Sequence, residues 1–279
     1  MRDPTRVAEV LNRVISKAFK GSAPAQINIP RDMWTQVIDI ELPPIIKFER
    51  PSGGSEAIKE AAKLLSNADF PVILSGAGVV LADAINDCKA LAEKLDSPVA
   101  SGYQHNDSFP GSHPLAVGPL GYNGSKAAME LISKADVVLA LGTRLNPFST
   151  LPGYGIDYWP KDAAIIQVDI NSDRIGLTKK VSVGICGDAK QVAQQLLNSL
   201  SPEAGNKNRD ERKALIHQTK SAWLQTLSSM DHEDDDPGTS WNEEARVRDA
   251  DRMSPRMAWR AIQSGLPKNA IISSDIGNN

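Results

Sequence analysis

The sequence predicts an α/β protein whose main domain is a parallel β-sheet with helices on both faces. Over residues 55–200, short apolar runs alternate with segments whose apolar residues recur at helical spacing. The runs are apolar throughout, which is typical of strands buried on both faces of a parallel sheet. With 279 residues, the chain is long enough for one large or two ordinary domains.

The N-terminal segment predicts a helix, a strand and a linker. Asp3 and Pro4 are suited to begin a helix whose apolar residues follow at helical spacing, and Gly21 ends it. We expect a short buried strand over residues 25–29. Residues 36–54, which are rich in proline and glycine, are expected to form a linker.

The central segment predicts a regular series of elements. The predicted strands are residues 71–75, 98–101, 136–141, 163–169 and 181–186. The predicted helices are residues 55–67, a second helix ending near residue 95, residues 125–134, and a helix that is capped at residue 188 and ends near residue 200. The glycine- and proline-rich segment before residue 125 is expected to be a loop.

The composition changes after residue 200. Residues 201–253 hold 12 acidic and 8 basic residues and predict a charged helical linker, with an exposed helix over residues 210–228 and a polar loop over residues 231–236. Residues 254–279 then predict a helix, a strand over residues 270–274 and a glycine turn. Such a turn normally leads into another helix, so we expect this last domain to be truncated.

The composition also excludes several classes of protein. The chain has 31 basic and 34 acidic residues, a net charge of −3, which gives no electrostatic basis for binding nucleic acid. Cys88 and Cys186 lie far apart in the chain, which argues against a disulfide scaffold or a cysteine zinc site and fits a cytoplasmic protein. No apolar run approaches the roughly 20 residues of a membrane span. The four histidines have no metal-binding spacing, and we assign no metal ligand.

The glycines after the first central strand form the first candidate binding site. Gly76 and Gly78 would let the backbone approach a phosphate at the start of a helix. The third glycine of the dinucleotide-binding fingerprint is absent, because Leu81 occupies its place. A tight turn between strand and helix is therefore the favoured interpretation, and a nucleotide site is the alternative.

Three further candidates follow other strands of the predicted sheet. Gly142 and Arg144 come directly after one strand, and Asp169 ends another. Ligands bind at the carboxyl ends of parallel strands, where Arg144 would suit a phosphate and Asp169 a ribose. The alternatives are that Arg144 pairs with an acidic residue and that Asp169 tethers its own loop or caps a helix.

The order of several motifs resembles the thiamine diphosphate enzymes, and within them the acetolactate synthase-like group. "APAQINIPRDMW" (23–34) is similar to the closing strand of the pyrimidine-binding domain, and "AIISSDIGNN" (270–279) to the first strand of the diphosphate-binding domain. The motifs similar to the central domain are "FPVILSGAGV" (70–79), "FPGSHPLAVGPLGYNGS" (109–125), "ADVVLALGTRL" (135–145), "IIQVDINSDRIG" (165–176) and "GDAKQVAQQL" (187–196).

The resemblance implies a domain organisation. Residues 1–35 would end a pyrimidine-binding domain, residues 55–200 would form the central domain, and residues 254–279 would begin the diphosphate-binding domain. Residues 29–43 and 144–171 look most like the sulfoacetaldehyde acetyltransferases. These enzymes use phosphate to cleave sulfoacetaldehyde to acetyl phosphate and sulfite, with thiamine diphosphate and Mg²⁺.

The resemblance also bears on the site residues. The family's catalytic glutamate and its GDG…N metal motif do not occur in this chain, so we assign no catalytic residue and expect the chain alone to be inactive. Relatives contact the cofactor diphosphate with a Gly-Gln-His turn, where this chain has Gly277, Asn278 and Asn279. The five candidates of the central domain map onto a crevice that holds FAD or ADP in some relatives, but we favour an empty crevice here.

Alternatives remain open. The chain could belong to an acetolactate synthase or an oxalyl-CoA decarboxylase, or it could be a stand-alone nucleotide-binding module or a non-catalytic subunit of a larger assembly. Thiamine diphosphate sites of this superfamily lie between two subunits, so the resemblance implies that the parent enzyme is a homodimer or homotetramer acting on small molecules.

Overall fold

The computed structural model describes residues 1–21, 23–44, 49–229, 255–267 and 269–272. The chain divides into two compact units, Met1–Ile216 and His217–Asn279. The predicted polar loop at residues 231–236 and the predicted cofactor contacts Gly277, Asn278 and Asn279 lie outside the described residues.

The first unit contains the predicted parallel sheet, which is therefore confirmed. Six strands pair in parallel in the order β3-β2-β1-β4-β5-β6. The strands are β1 (Pro71–Ser75), β2 (Val99–Ser101), β3 (Ala116–Pro119), β4 (Val137–Leu141), β5 (Ala164–Asp169) and β6 (Val183–Cys186). All residues of the central strands β1 and β4 are buried, as their continuous apolar runs predict.

The helices agree closely with their predicted positions, except that the predicted second helix is interrupted. They are α1 (Val7–Gly21), α2 (Ser55–Asn67), α3 (Ala77–Leu81), α4 (Ile85–Leu95), α5 (Lys126–Ile132), α6 (Ala189–Ser199), α7 (Arg209–Ser229) and α8 (Pro255–Gly265). In helix α2 the apolar residues recur at helical spacing and form one buried face, which is why their spacing predicts the helix. These residues are Ile58, Ala61, Ala62 and Leu65. Helices α2 and α4 both pack against α6.

Strand β3 lies in the segment that we expected to be a loop, so that prediction was wrong. Gly118 has a φ of +91°, and the pairing register between β2 and β3 shifts beside it. Pro119 cannot donate a ladder hydrogen bond, which restricts proline to sheet edges, strand starts and bulges. The strand forms because β3 is the edge strand and needs to pair on one side only.

The predicted second helix is interrupted. Helix α3 ends at Leu81 and α4 begins at Ile85, and Asp83 between them has a φ of +54°. A residue in the left-handed region cannot continue a right-handed helix. The apolar spacing extends across this break, so the sequence pattern does not reveal it.

The predicted strand at residues 25–29 is wrong. These residues have no regular secondary structure, and none of them is buried. A strand requires a hydrogen-bonded neighbour, and no described residue pairs with this segment as a strand. Residues 270–272, the described part of the other terminal strand that we predicted, are not in a strand either.

Two segments differ in how they pack. Helix α1 contains no buried residue, although its apolar residues recur at helical spacing, and Phe19 is 78% exposed. In contrast, the hydrophobic core includes Ala204 and Ile216. Both residues lie beyond the boundary at residue 200 that we predict for the central domain.

Candidate functional site: a crevice where the strand order reverses

A crevice lies at the carboxyl ends of β1 and β4. The chain winds outward from β1 to β3 on one side and from β4 to β6 on the other, so the connections after β1 and β4 diverge. In open parallel sheets, ligands bind at this switch point. A cavity of about 1160 Å³ occupies the position here, and Gly78, Gly142, Arg144 and Asp169 line it. The structure therefore brings these four predicted residues together.

The glycine turns after β1 and β4 pack directly against each other. The amide of Gly76 donates to the carbonyl of Leu141 at 3.1 Å, and the amide of Gly78 donates to the carbonyl of Gly142 at 2.8 Å. A Cβ atom on Gly78 would lie 2.6 Å from the Cα of Gly142, and Gly142 itself has a φ of +62°. These glycines allow two backbones to touch, and the two bonded amides are not free to hold a phosphate. This geometry favours the tight-turn interpretation.

Arg144 extends from the turn after β4. Its side chain is exposed, lines the cavity and forms no ion pair or hydrogen bond with any described residue. The next residue, Leu145, is buried with a φ of +52°, in a region that non-glycine residues rarely adopt. The hydroxyl of Thr178 donates to the carbonyl of Leu145 at 2.7 Å and holds the turn in this conformation.

Asp169 behaves as the loop-tethering interpretation predicts. The residue is 6% exposed, and its carboxylate accepts a hydrogen bond of 2.8 Å from the amide of Asn171. The carboxylate thus fixes the start of the loop after β5. Asp169 still lines the cavity.

Two residues, Arg174 in the lining of the crevice and the buried Gln167, were not predicted from the sequence. Arg174 is half-buried and lines the cavity, and no described residue pairs with its guanidinium. Gln167 is 1% exposed; its amide nitrogen donates to the carbonyls of Thr143 and Arg174, and its amide oxygen accepts from Gly176 at 2.8 Å. A single amide therefore links the turns after β4 and β5. The signal was available, because Gln167 is the one uncharged polar residue in the apolar run of β5.

Two cationic side chains in the lining of the crevice indicate which kind of ligand it suits. Arg144 and Arg174 supply two guanidiniums, which match phosphate and carboxylate groups well. Among the described residues, no three histidine, cysteine or acidic side chains are grouped so that they could hold a metal ion. No described residue is therefore assigned to thiamine diphosphate or Mg²⁺.

Comparison with known proteins identifies the class of this domain. Residues 58–196 match the family model described as "Thiamine pyrophosphate enzyme, central domain". The crystal structure of benzoylformate decarboxylase from Polynucleobacter necessarius matches with a TM-score of 0.61 and 20% identity, over 75% of this chain and 39% of that chain. That likeness shows the fold alone. The chain belongs to the thiamine pyrophosphate enzymes, as the motif order predicts.

Two relatives within this family show which member the chain resembles more. It is 78% identical to the probable sulfoacetaldehyde acetyltransferase of Rhizobium meliloti (strain 1021), over 100% of this chain and 47% of that protein. It is 32% identical to the probable acetolactate synthase large subunit of Methanocaldococcus jannaschii, over 100% of this chain and 46% of that protein. The chain thus spans about half the length of the curated relatives it matches. Of the helices in the described residues, none is long and apolar enough to cross a membrane.

Proposed function

We propose that the chain forms the central part of a thiamine diphosphate-dependent sulfoacetaldehyde acetyltransferase, which converts sulfoacetaldehyde and phosphate to acetyl phosphate and sulfite. The observation that carries this proposal is the 78% identity to a probable sulfoacetaldehyde acetyltransferase along the whole chain. The identity to the acetolactate synthase relative, 32%, is much lower. The chain is therefore more similar to the sulfoacetaldehyde acetyltransferase than to the acetolactate synthase.

We assign this chain a structural role in the reaction. Thiamine diphosphate supplies the electron sink for the chemistry when it is bound. Among the described residues, no three histidine, cysteine or acidic side chains are grouped to hold a metal ion, and the predicted diphosphate contacts Gly277, Asn278 and Asn279 lie outside those residues. We therefore assign no chemical step to a residue of the central domain.

The test is an assay of the full reading frame that contains this chain. The purified product is incubated with sulfoacetaldehyde, phosphate, thiamine diphosphate and Mg²⁺, and both sulfite and acetyl phosphate are measured. We expect the two products in equal amounts, and neither when phosphate is omitted. The 279-residue chain alone is the matched control, and we expect it to be inactive. Size-exclusion chromatography with light scattering on the same sample tests the proposed homodimer or homotetramer.

Other products would identify the alternatives. Release of carbon dioxide from pyruvate without sulfite would contradict the proposal and indicate an acetolactate synthase. Release of carbon dioxide from oxalyl-CoA would indicate the decarboxylase. Dependence on a separately encoded partner protein would show that the product is one subunit of a larger assembly.

A second candidate function is nucleotide binding in the crevice. The cavity volume of about 1160 Å³ favours it, as do Arg144 and Arg174, whose guanidiniums pair with no described residue. The bonded amides of Gly76 and Gly78 oppose it, and we propose that neither FAD nor ADP occupies the crevice. Either nucleotide should then raise the melting temperature by no more than about 1 °C. A saturable increase that Arg144→Ala abolishes would contradict this and establish a nucleotide site.

A further inference from the structure

Arg212 lies in the segment whose composition predicts an exposed, charged linker, yet it is 2% exposed. All five N–H groups of its guanidinium are paired with backbone carbonyls. The acceptors are the carbonyl oxygens of Asp69, Leu95, Asp96, Gly205 and Lys207, at donor–acceptor distances between 2.5 and 3.1 Å. Burial lowers the pKa of Arg212, and the nearby carboxylate of Asp96 opposes this effect. The buried guanidinium therefore joins three main-chain segments through five carbonyl groups.

The carbonyl acceptors of Arg212 belong to three parts of the first unit. Leu95 and Asp96 end helix α4, where the last carbonyls have no partner within the helix and carry the negative end of its dipole. Asp69 lies two residues before the start of β1. Gly205 and Lys207 belong to the loop that leads into α7. One side chain thus ties this loop and the start of α7 to the amino-terminal edge of the sheet.

Two cationic side chains contact Asp96 at the same amino-terminal edge of the sheet. Arg209 and Lys213, from the same face of α7, both form ion pairs with its carboxylate, which is 8% exposed. Gly205 has a φ of +84°, and a Cβ atom there would lie 2.5 Å from the carbonyl oxygen of Lys94. The loop backbone therefore lies directly against the end of α4, and only glycine allows this approach.

We propose that Arg212 is a clasp that makes residues 201–216 a single conformational unit, which stays on the sheet or opens from it as a whole. Among the described residues, Arg212 is the one fully buried charged side chain that bonds to the loop at residues 201–208; the less buried Lys94 donates to the carbonyl of Pro202 at 2.7 Å. Lysine cannot replace Arg212, because an ammonium has three donors on a flexible stem and cannot reach five carbonyls in one plane.

Hydrogen exchange of the 279-residue chain, followed by mass spectrometry, tests this proposal. Arg212→Lys should increase the exchange rate of the protected amides in residues 201–208 and 209–216 together, by about tenfold or more. Amides of β1 and β4 should change much less. Lys207→Met is the matched control: it removes an exposed cation of the same loop, which pairs with Asp69, and leaves the backbone acceptor of residue 207 in place. We expect it to change exchange by less than about twofold.

Separate responses would overturn the proposal. If Arg212→Lys accelerates exchange in only one of the two segments, or in neither, Arg212 does not couple them. If Arg212→Lys does not fold, hydrogen exchange of the unchanged chain is measured at increasing urea concentrations below the unfolding transition, and it tests whether the two segments open together. The amides of both segments should then converge on one opening equilibrium. Two distinct equilibria would contradict the clasp.

Discussion

At the residue scale, Gly78 shows that a motif residue can be explained by packing. The amide and the Cα of Gly78 both contact the backbone of Gly142, and an added Cβ would lie 2.6 Å from the Cα of that residue. We predict that Gly78→Ala lowers the free energy of unfolding by about 1–3 kcal/mol, because the turns after β1 and β4 must separate. Gly111→Ala, where a Cβ would have no neighbour within 4 Å, is the control for urea denaturation. Equal stability of the two variants would contradict the backbone packing.

The two cysteines give a second prediction at this scale. Cys88 is fully buried, and burial raises the pKa of its thiol to about 12, against a smaller lowering by its hydrogen bond with Ser75. Cys186 is exposed. Because the thiolate is the reactive form, a thiol reagent at about pH 8 should modify only Cys186 in the folded chain, and Cys186→Ser should abolish the reaction. Fast modification of both thiols without unfolding would contradict this.

The raised pKa of Cys88 also has a consequence for stability. Between the ordinary thiol pKa of 9.0 and about 12, the unfolded chain loses this proton while the folded chain keeps it. The contribution to stability is therefore complete below about pH 9 and is lost as the pH rises toward 12. Burial raises the pKa of Tyr158 as well, which acts in the same direction.

At the element scale, helix α6 depends on its N-terminal cap. The carboxylate of Asp188 accepts hydrogen bonds from the amides of Lys190 and Gln191 and pairs with Arg50 at 2.9 Å. We predict that Asp188→Ala lowers the free energy of unfolding by about 1 kcal/mol, since two amides of the first turn lose their acceptor. Asp188→Ser keeps an acceptor and should recover most of the loss in thermal or urea denaturation. If serine is no better than alanine, the cap is not the source of the effect.

Elements were predictable from sequence where local signals agreed with burial. The strands β1 and β4 have continuous apolar runs, and α6 has both a cap and a spaced apolar face, so their positions were predicted within two residues. Strand β3 was missed because pairing at the sheet edge overrides the effect of its glycine and proline. The strand expected at residues 25–29 has an apolar pattern but no pairing partner among the described residues. Pairing is a non-local property that such patterns do not encode.

The same limit applies to the candidate site. Gly78, Gly142, Arg144 and Asp169 were found because each ends or follows a strand, and the topology of a parallel sheet brings such residues to one edge. Gln167 was missed because its role depends on two loops that are brought together only by the fold. Arg212 was assigned to a charged linker for the same reason.

At the scale of the whole molecule, the exposed apolar face of α1 predicts self-association. Ile15 and Phe19 are 51% and 78% exposed, one helical turn apart, on a helix with no buried residue. Apolar area removed from water contributes about 25 cal/mol per Å², so contact between such faces is favourable. We expect the apparent mass of the 279-residue chain, measured by light scattering, to rise with concentration.

Replacing Ile15 and Phe19 tests whether self-association occurs through α1 or through another surface. The double variant Ile15→Gln and Phe19→Gln should shift association to a higher concentration, because it removes the apolar contact and keeps the helix length. Lys17→Gln changes an exposed polar residue of the same helix and is the matched control. If all three proteins associate alike, the contact lies elsewhere, and the exposed residues Met257, Trp259 and Ile262 of α8 become the surface to change next. If the double variant associates only at a higher concentration and Lys17→Gln does not differ from the unchanged chain, the apolar face of α1 is the surface that requires a partner.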